Sequence, residues 1–142
     1  MNTETTEMIE KKLTKEELEN GLAQFYGTEN WHRYSPLFRK HLLTDGVKYL
    51  CDKAGSYWIL DIICSHHSKC MKDPKGMLRS MQFWTLTKNK KGSGAKIICE
   101  RDTGDVAITQ KIPYTDFPLD EIKLYVQPMG DGNFVIMLPS EY

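Results

Sequence analysis

Residues 80–101 read SMQFWTLTKNKKGSGAKIICER, and the fold turns on them. From Ser80 to Lys88 the chain alternates, with Met81, Phe83 and Thr85 on one side and Gln82, Trp84 and Leu86 on the other. A period of two marks a half-buried strand. Lys90-Lys91-Gly92-Ser93-Gly94 supplies the turn, and Ala95 to Arg101 returns as the second arm of a hairpin.

The same rhythm continues downstream. Asp102-Thr103-Gly104-Asp105 turns the chain into Val106 to Tyr114, where Val106, Ile108 and Ile112 oppose Thr109 and Lys111. After Tyr114-Thr115-Asp116-Phe117-Pro118, Ile122, Leu124 and Val126 alternate with Lys123 and Tyr125. Gly130-Asp131-Gly132-Asn133 is a last turn before Phe134, Ile136 and Leu138. Strands joined by turns this short pair antiparallel.

Upstream of Ser80 the period is helical. Thr14-Lys15-Glu16-Glu17 is a capping box, Leu18, Leu22 and Phe25 follow at helical spacing, and Gly27 ends the helix. Pro36 bars a helix through its neighbours, and Leu37 to Leu43 reads as a short first strand. Asp45 is expected to cap a helix from Gly46 to Ala54 that stops at Gly55. Ser56 is expected to cap a third, Tyr57 to about His66, with Trp58, Ile59, Ile62 and Ile63 as its apolar stripe. His67 to Gly76 is polar and lysine-rich and reads as a loop. Helices first and hairpins after predict an α+β fold, its N-terminal helices on one face of a mainly antiparallel sheet of about five strands. Residues 1–13 read as a flexible acidic lead-in and 14–142 as one domain, near the commonest domain size.

Composition bounds the function. An aromatic share of 11% suits a packed core rather than a disordered chain. The polar, acidic start carries no signal-peptide pattern, no apolar run is long enough to cross a bilayer, and Cys51, Cys64, Cys70 and Cys99 then read as reduced thiols. A cytoplasmic protein without membrane contact is expected. The formal charge is zero, yet it is blocked: −4 over residues 1–30, +9 over 31–101 and −5 over 102–142. Such asymmetry predicts a basic and an acidic side, unless folding interleaves the blocks.

Each chemical candidate has a structural competitor. Cys64, His66, His67 and Cys70 include the ligand types of a zinc site, but they are too close in sequence for its usual paired halves. A helix end with buried Cys64 and exposed histidines explains them better, so no metal and no cofactor are expected. Cys70, beside Lys69 and Lys72, is the one thiol with a faint claim to nucleophilic chemistry, and no orienting group accompanies it. Asp61 interrupts an apolar helix; with Asp116 it is the centre of an alternative in which the chain is a small enzyme. Lys69, Lys72, Lys75, Arg79, Lys88, Lys90, Lys91 and Lys96 could form, with Trp84, a basic interaction surface for phosphates or an acidic protein face. The competing view is a solvated hairpin tip.

Several stretches resemble a family of small bacterial proteins carried on phages, plasmids and other mobile elements. They are Phe25-Tyr26-Gly27-Thr28-Glu29-Asn30-Trp31, Thr44-Asp45-Gly46-Val47-Lys48-Tyr49-Leu50 and Ala54-Gly55-Ser56-Tyr57-Trp58-Ile59-Leu60-Asp61. Gln82-Phe83-Trp84, Tyr114-Thr115-Asp116-Phe117-Pro118-Leu119 and Leu138-Pro139-Ser140-Glu141-Tyr142 complete the pattern, which runs from about Leu13. The family's chemistry is unassigned, so no catalytic residue carries over. The resemblance implies a non-enzymatic protein that binds a host partner and blocks a host defence nuclease, as anti-CRISPR proteins do, with an RNA-guided type VI ribonuclease among the targets. The alternative is a nucleic-acid-binding or regulatory protein of the mobile element itself.

Overall fold

The computed structural model describes residues 13–142. Residues 1–12 of the expected lead-in lie outside this range. Leu13 does not belong to a lead-in: it packs against the core and donates its N–H to the Lys53 carbonyl at 3.2 Å.

Among the described residues four α-helices precede the long strands: α1 (Lys15–Leu22), α2 (Asp45–Ala54), α3 (Tyr57–Ser65) and α4 (His67–Met71). The strands are β1 (Trp31–Arg33), β2 (His41–Thr44), β3 (Gln82–Lys88), β4 (Ala95–Glu100), β5 (Val106–Ile112), β6 (Glu121–Pro128) and β7 (Phe134–Met137). They form one sheet in the order β1-β2-β7-β6-β3-β4-β5. The fold is α+β as expected, but the sheet has seven strands, and β2 pairs with β7 in parallel while every other pair is antiparallel.

The alternation in residues 80–101 is realised in the register. Trp84 lies opposite Cys99 on β4 and Leu124 on β6, and Leu86 opposite Ile97 and Ile122, so this parity forms the inner face. Trp84, Leu86, Ile97, Cys99 and Leu124 are all buried there, with Leu50, Leu60 and Ile63 of the helices in the same cluster. The other parity, Phe83, Thr85 and Thr87, forms the outer face together with Lys96, Ile98, Lys123 and Tyr125.

Local chemistry sets the helix ends. Thr14 and Glu17 make the expected capping box, with Glu17 N–H donating to Thr14 Oγ1 at 3.3 Å and Thr14 N–H to Glu17 Oε1 at 3.0 Å. The cap of α2 is Thr44 rather than Asp45: its hydroxyl accepts the Val47 N–H at 3.3 Å, leaving Asp45 as the first helical residue. Gly55 closes α2 with φ 62°, in the left-handed region that glycine adopts without steric cost. Ser56 occupies the N-cap position of α3 as expected, but its buried hydroxyl has no hydrogen-bond partner and makes no capping bond. Residues 67–71, expected as loop, form α4 because Cys70 is fully buried and packing compensates for the poor stability of so short a helix.

Candidate interaction surface

The β3–β4 hairpin closes with Asn89 N–H donating to the Gly94 carbonyl at 2.9 Å. A Cβ on Gly94 would stand 2.9 Å from the Ile112 carbonyl oxygen and 3.2 Å from that of Pro113, so glycine lets the turn lie against the end of β5. Thr115 N–H donates to the Ser93 carbonyl at 2.8 Å and ties the two loops together. Lys90 and Lys91 stand exposed on this turn. Lys96 follows on β4, and its direct cross-strand partner on β5 is Lys111. Like charges placed opposite each other in a sheet oppose pairing. Among the described residues none of these four lysines takes part in an ion pair. Lys91, Lys96 and Lys111 border an open cleft of about 460 Å³, with Asn89, Ile112 and Pro113. Lys123 shares their sheet face, opposite Thr85.

The remaining basic residues do not join them. Lys88 points away and donates to the Phe117 carbonyl at 2.9 Å. Lys75 pairs with Asp105 at 3.0 Å, and Arg79 donates to the Met71 carbonyl at 3.1 Å. Lys69 and Lys72 border a separate cleft that meets β5 at Ala107 and Ile108, the opposite end of that strand from Lys111. Trp84 corrects the sequence-based surface: it is 1% exposed, and its indole N–H donates to Gln82 Oε1 at 2.9 Å inside the core. Lys111 and Lys123 belong to the surface although sequence reasoning passed over them as polar strand positions. Counting pairs back from the 102–105 turn would have placed Lys111 beside Lys96.

The Cys/His cluster disperses. Cys64 lies on the buried side of α3, where burial pushes its thiol up to about 12. Cys70 meets Cys99, whose thiol is pushed well up by its hydrogen bond to Cys70 and by burial. His66 bonds Gln110 at 2.9 Å, while His67 packs edge-on against His41 and Phe134, with ring centroids 4.8 Å apart in both cases. His41 is 3% exposed, and burial, with His67 and Lys40 nearby, lowers its imidazole to about 4. No group of three or more His, Cys, Asp or Glu able to hold a metal ion occurs among the described residues.

Asp61 lies on the exposed side of α3 and accepts the Tyr34 hydroxyl, as Asp52 accepts that of Tyr57. The Tyr34 ring stacks on Tyr57 at 5.9 Å and on Phe38 at 6.2 Å. His32 bonds Asp45 at 2.7 Å, and Asp45 also accepts the Glu29 N–H at 3.0 Å. Asp116 is exposed in the β5–β6 connection. Glu141 accepts the Thr44 hydroxyl at 2.6 Å, the Gly46 N–H at 3.0 Å and the Leu138 N–H at 3.0 Å. Polar residues of the sequence motifs are thus committed to holding the fold.

The model of a family of unknown function, DUF6876, matches residues 16–142. No curated protein and no solved structure matches the chain.

Proposed function

Since the chain belongs to DUF6876, a family to which no chemistry is attached, we propose from its surface that it works by binding and that Lys90, Lys91, Lys96 and Lys111 are its contact with a phosphate backbone. The observation that carries this reading is the Lys96–Lys111 pair. Two ammonium groups directly opposite each other weaken a sheet, and an anionic partner converts that local cost into affinity. The motif carboxylates Asp45, Asp61 and Glu141, by contrast, are engaged in hydrogen bonds that organise the fold. They supply support for a binding role rather than for acid–base chemistry.

The setting we propose is inhibition of a host defence nuclease by a protein from a mobile element, with guide RNA in an RNA-guided complex, such as a type VI ribonuclease, as the phosphate-bearing partner. Co-purification with such complexes and a cleavage assay test it. Stable association with loss of cleavage is expected, and Lys96→Glu with Lys111→Glu should abolish both. Association with no effector and unchanged cleavage would overturn the setting. Tight, salt-sensitive binding to naked RNA or DNA would instead favour a nucleic-acid-binding regulator of the element.

A further inference from the structure

We infer that the cleft between α4 and β5 is a binding site for a phosphate monoester carrying a flat heteroaromatic ring, a ligand of mononucleotide size. The cleft has a volume of about 550 Å³, within the range of small-molecule sites. Its floor is apolar: Leu78 and Ile108 present the edges of buried side chains, with Ala107 beside them. One wall is polar and comes from a single stretch of chain, Ser65, Ser68, Lys69 and Lys72.

Charge decides the ligand class. Three cations line the cleft, Lys69, Lys72 and Arg101, against one carboxylate, Asp73, which leaves a surplus of two. Asp73 is fully buried as a side chain and already engaged by Arg101 Nε at 2.8 Å and by the N–H groups of Leu78 and Lys75 at 3.1 and 3.3 Å. The neighbouring Asp105 is taken by Arg101 Nη1 and Lys75, both at 3.0 Å. Among the described residues neither carboxylate at the cleft is therefore left for Lys69 and Lys72, and neither lysine is in an ion pair. Two ammonium groups with three donors each suit a doubly charged phosphate better than a single carboxylate. The apolar floor beside them suits a ring.

The ligand has two sources, a free mononucleotide or the phosphorylated end of an oligonucleotide. The test is an NMR titration of the full chain with AMP, with adenosine and with a 5′-phosphorylated hexaribonucleotide. AMP is expected to give saturable shifts at Ser65–Lys72, Ala107 and Ile108, and adenosine to bind at least about tenfold more weakly, as loss of a charge-assisted contact implies. A hexanucleotide that outcompetes AMP identifies the RNA end as the source; equal or weaker binding identifies the free nucleotide. Lys69→Ala with Lys72→Ala, both at exposed positions, should weaken AMP about tenfold or more, and Ser68→Glu should do the same by repulsion. Lys96→Glu with Lys111→Glu should leave AMP binding intact, which separates this site from the hairpin surface. AMP that fails to shift these residues at millimolar concentration, or that binds the lysine variant as tightly as the native chain, would overturn the inference.

Discussion

Glu141 holds the Thr44 hydroxyl at 2.6 Å across 97 residues of chain. The same carboxylate accepts the Gly46 and Leu138 N–H groups, so one side chain satisfies the start of α2 and the end of β7 together. Glu141→Ala strands three donors and should cost about 3 kcal/mol, lowering the melting temperature by roughly 10 °C in a chain of this size. Thermal unfolding followed by circular dichroism measures it. Gly46→Ala should act on the same joint, since its Cβ would stand 2.7 Å from Glu141 Oε1 and 2.6 Å from Leu138 Cδ1. A loss of about 1–3 kcal/mol is expected although alanine favours helices.

Lys96→Glu carries two effects of opposite sign. Replacing one member of the cross-strand pair with Lys111 turns repulsion into attraction and should stabilise the sheet by about 0.5 kcal/mol. The same change should weaken nucleic-acid binding and reduce the salt slope of affinity by about 1. Denaturant titration and fluorescence anisotropy at several salt concentrations read the two effects separately.

Asp61 discriminates a supporting role from a catalytic one. Asp61→Asn removes the charge that accepts the Tyr34 hydroxyl and should cost about 1 kcal/mol, with binding to any partner unchanged. Tyr34→Phe should cost a similar amount, and the double variant little more, because the two residues share one contact. Strictly additive losses in a double-mutant cycle would contradict this.

His41 makes stability depend on pH. Its imidazole falls from the usual 6.5 to about 4 in the folded chain, so between these values the unfolded state binds the extra proton. Stability is therefore full above about pH 6.5 and declines as pH falls toward 4. The decline attributable to His41 is about 3 kcal/mol at most. The groups that face it are His67, which burial lowers as well, and Lys40. His41→Phe, beside Phe134, should flatten the profile in this window when unfolding free energies are compared at pH 7 and pH 5.

The strands β3 to β6 and the first three helices were legible because their periods extend over six or more residues, as in Gln82 to Lys88. β1 and β2 were not fully legible: three and four residues are too few to show alternation, and β2 is fixed by pairing with residues 134–136, about ninety positions away. Side-chain roles proved harder. Asp45 and Ser56 have the composition of caps, yet Thr44 takes the first role, and Ser56 holds the second position without a side-chain capping bond. Trp84 sits among lysines in sequence, but strand parity turns it inward, as its neighbour Gln82 also shows. The Lys96–Lys111 pairing depends on hairpin register, which composition alone does not reveal.

Strand β7 lies between β2 and β6, joining β1 and β2 to the strands that follow the last helix. The helices and the β3–β4–β5 meander close over short stretches and form early. The β6 side of the central joint closes over the turn at residues 129–133, whereas its β2 side pairs His41 with Phe134, and the loop entropy of that pairing must be spent before its hydrogen bonds are gained. Docking of the β6–β7 hairpin on β2 is thus expected to be the slow event of folding. Until it occurs, β2 and β7 each expose an unpaired edge, so the time before they meet is expected to be the interval in which this protein is most open to aggregation.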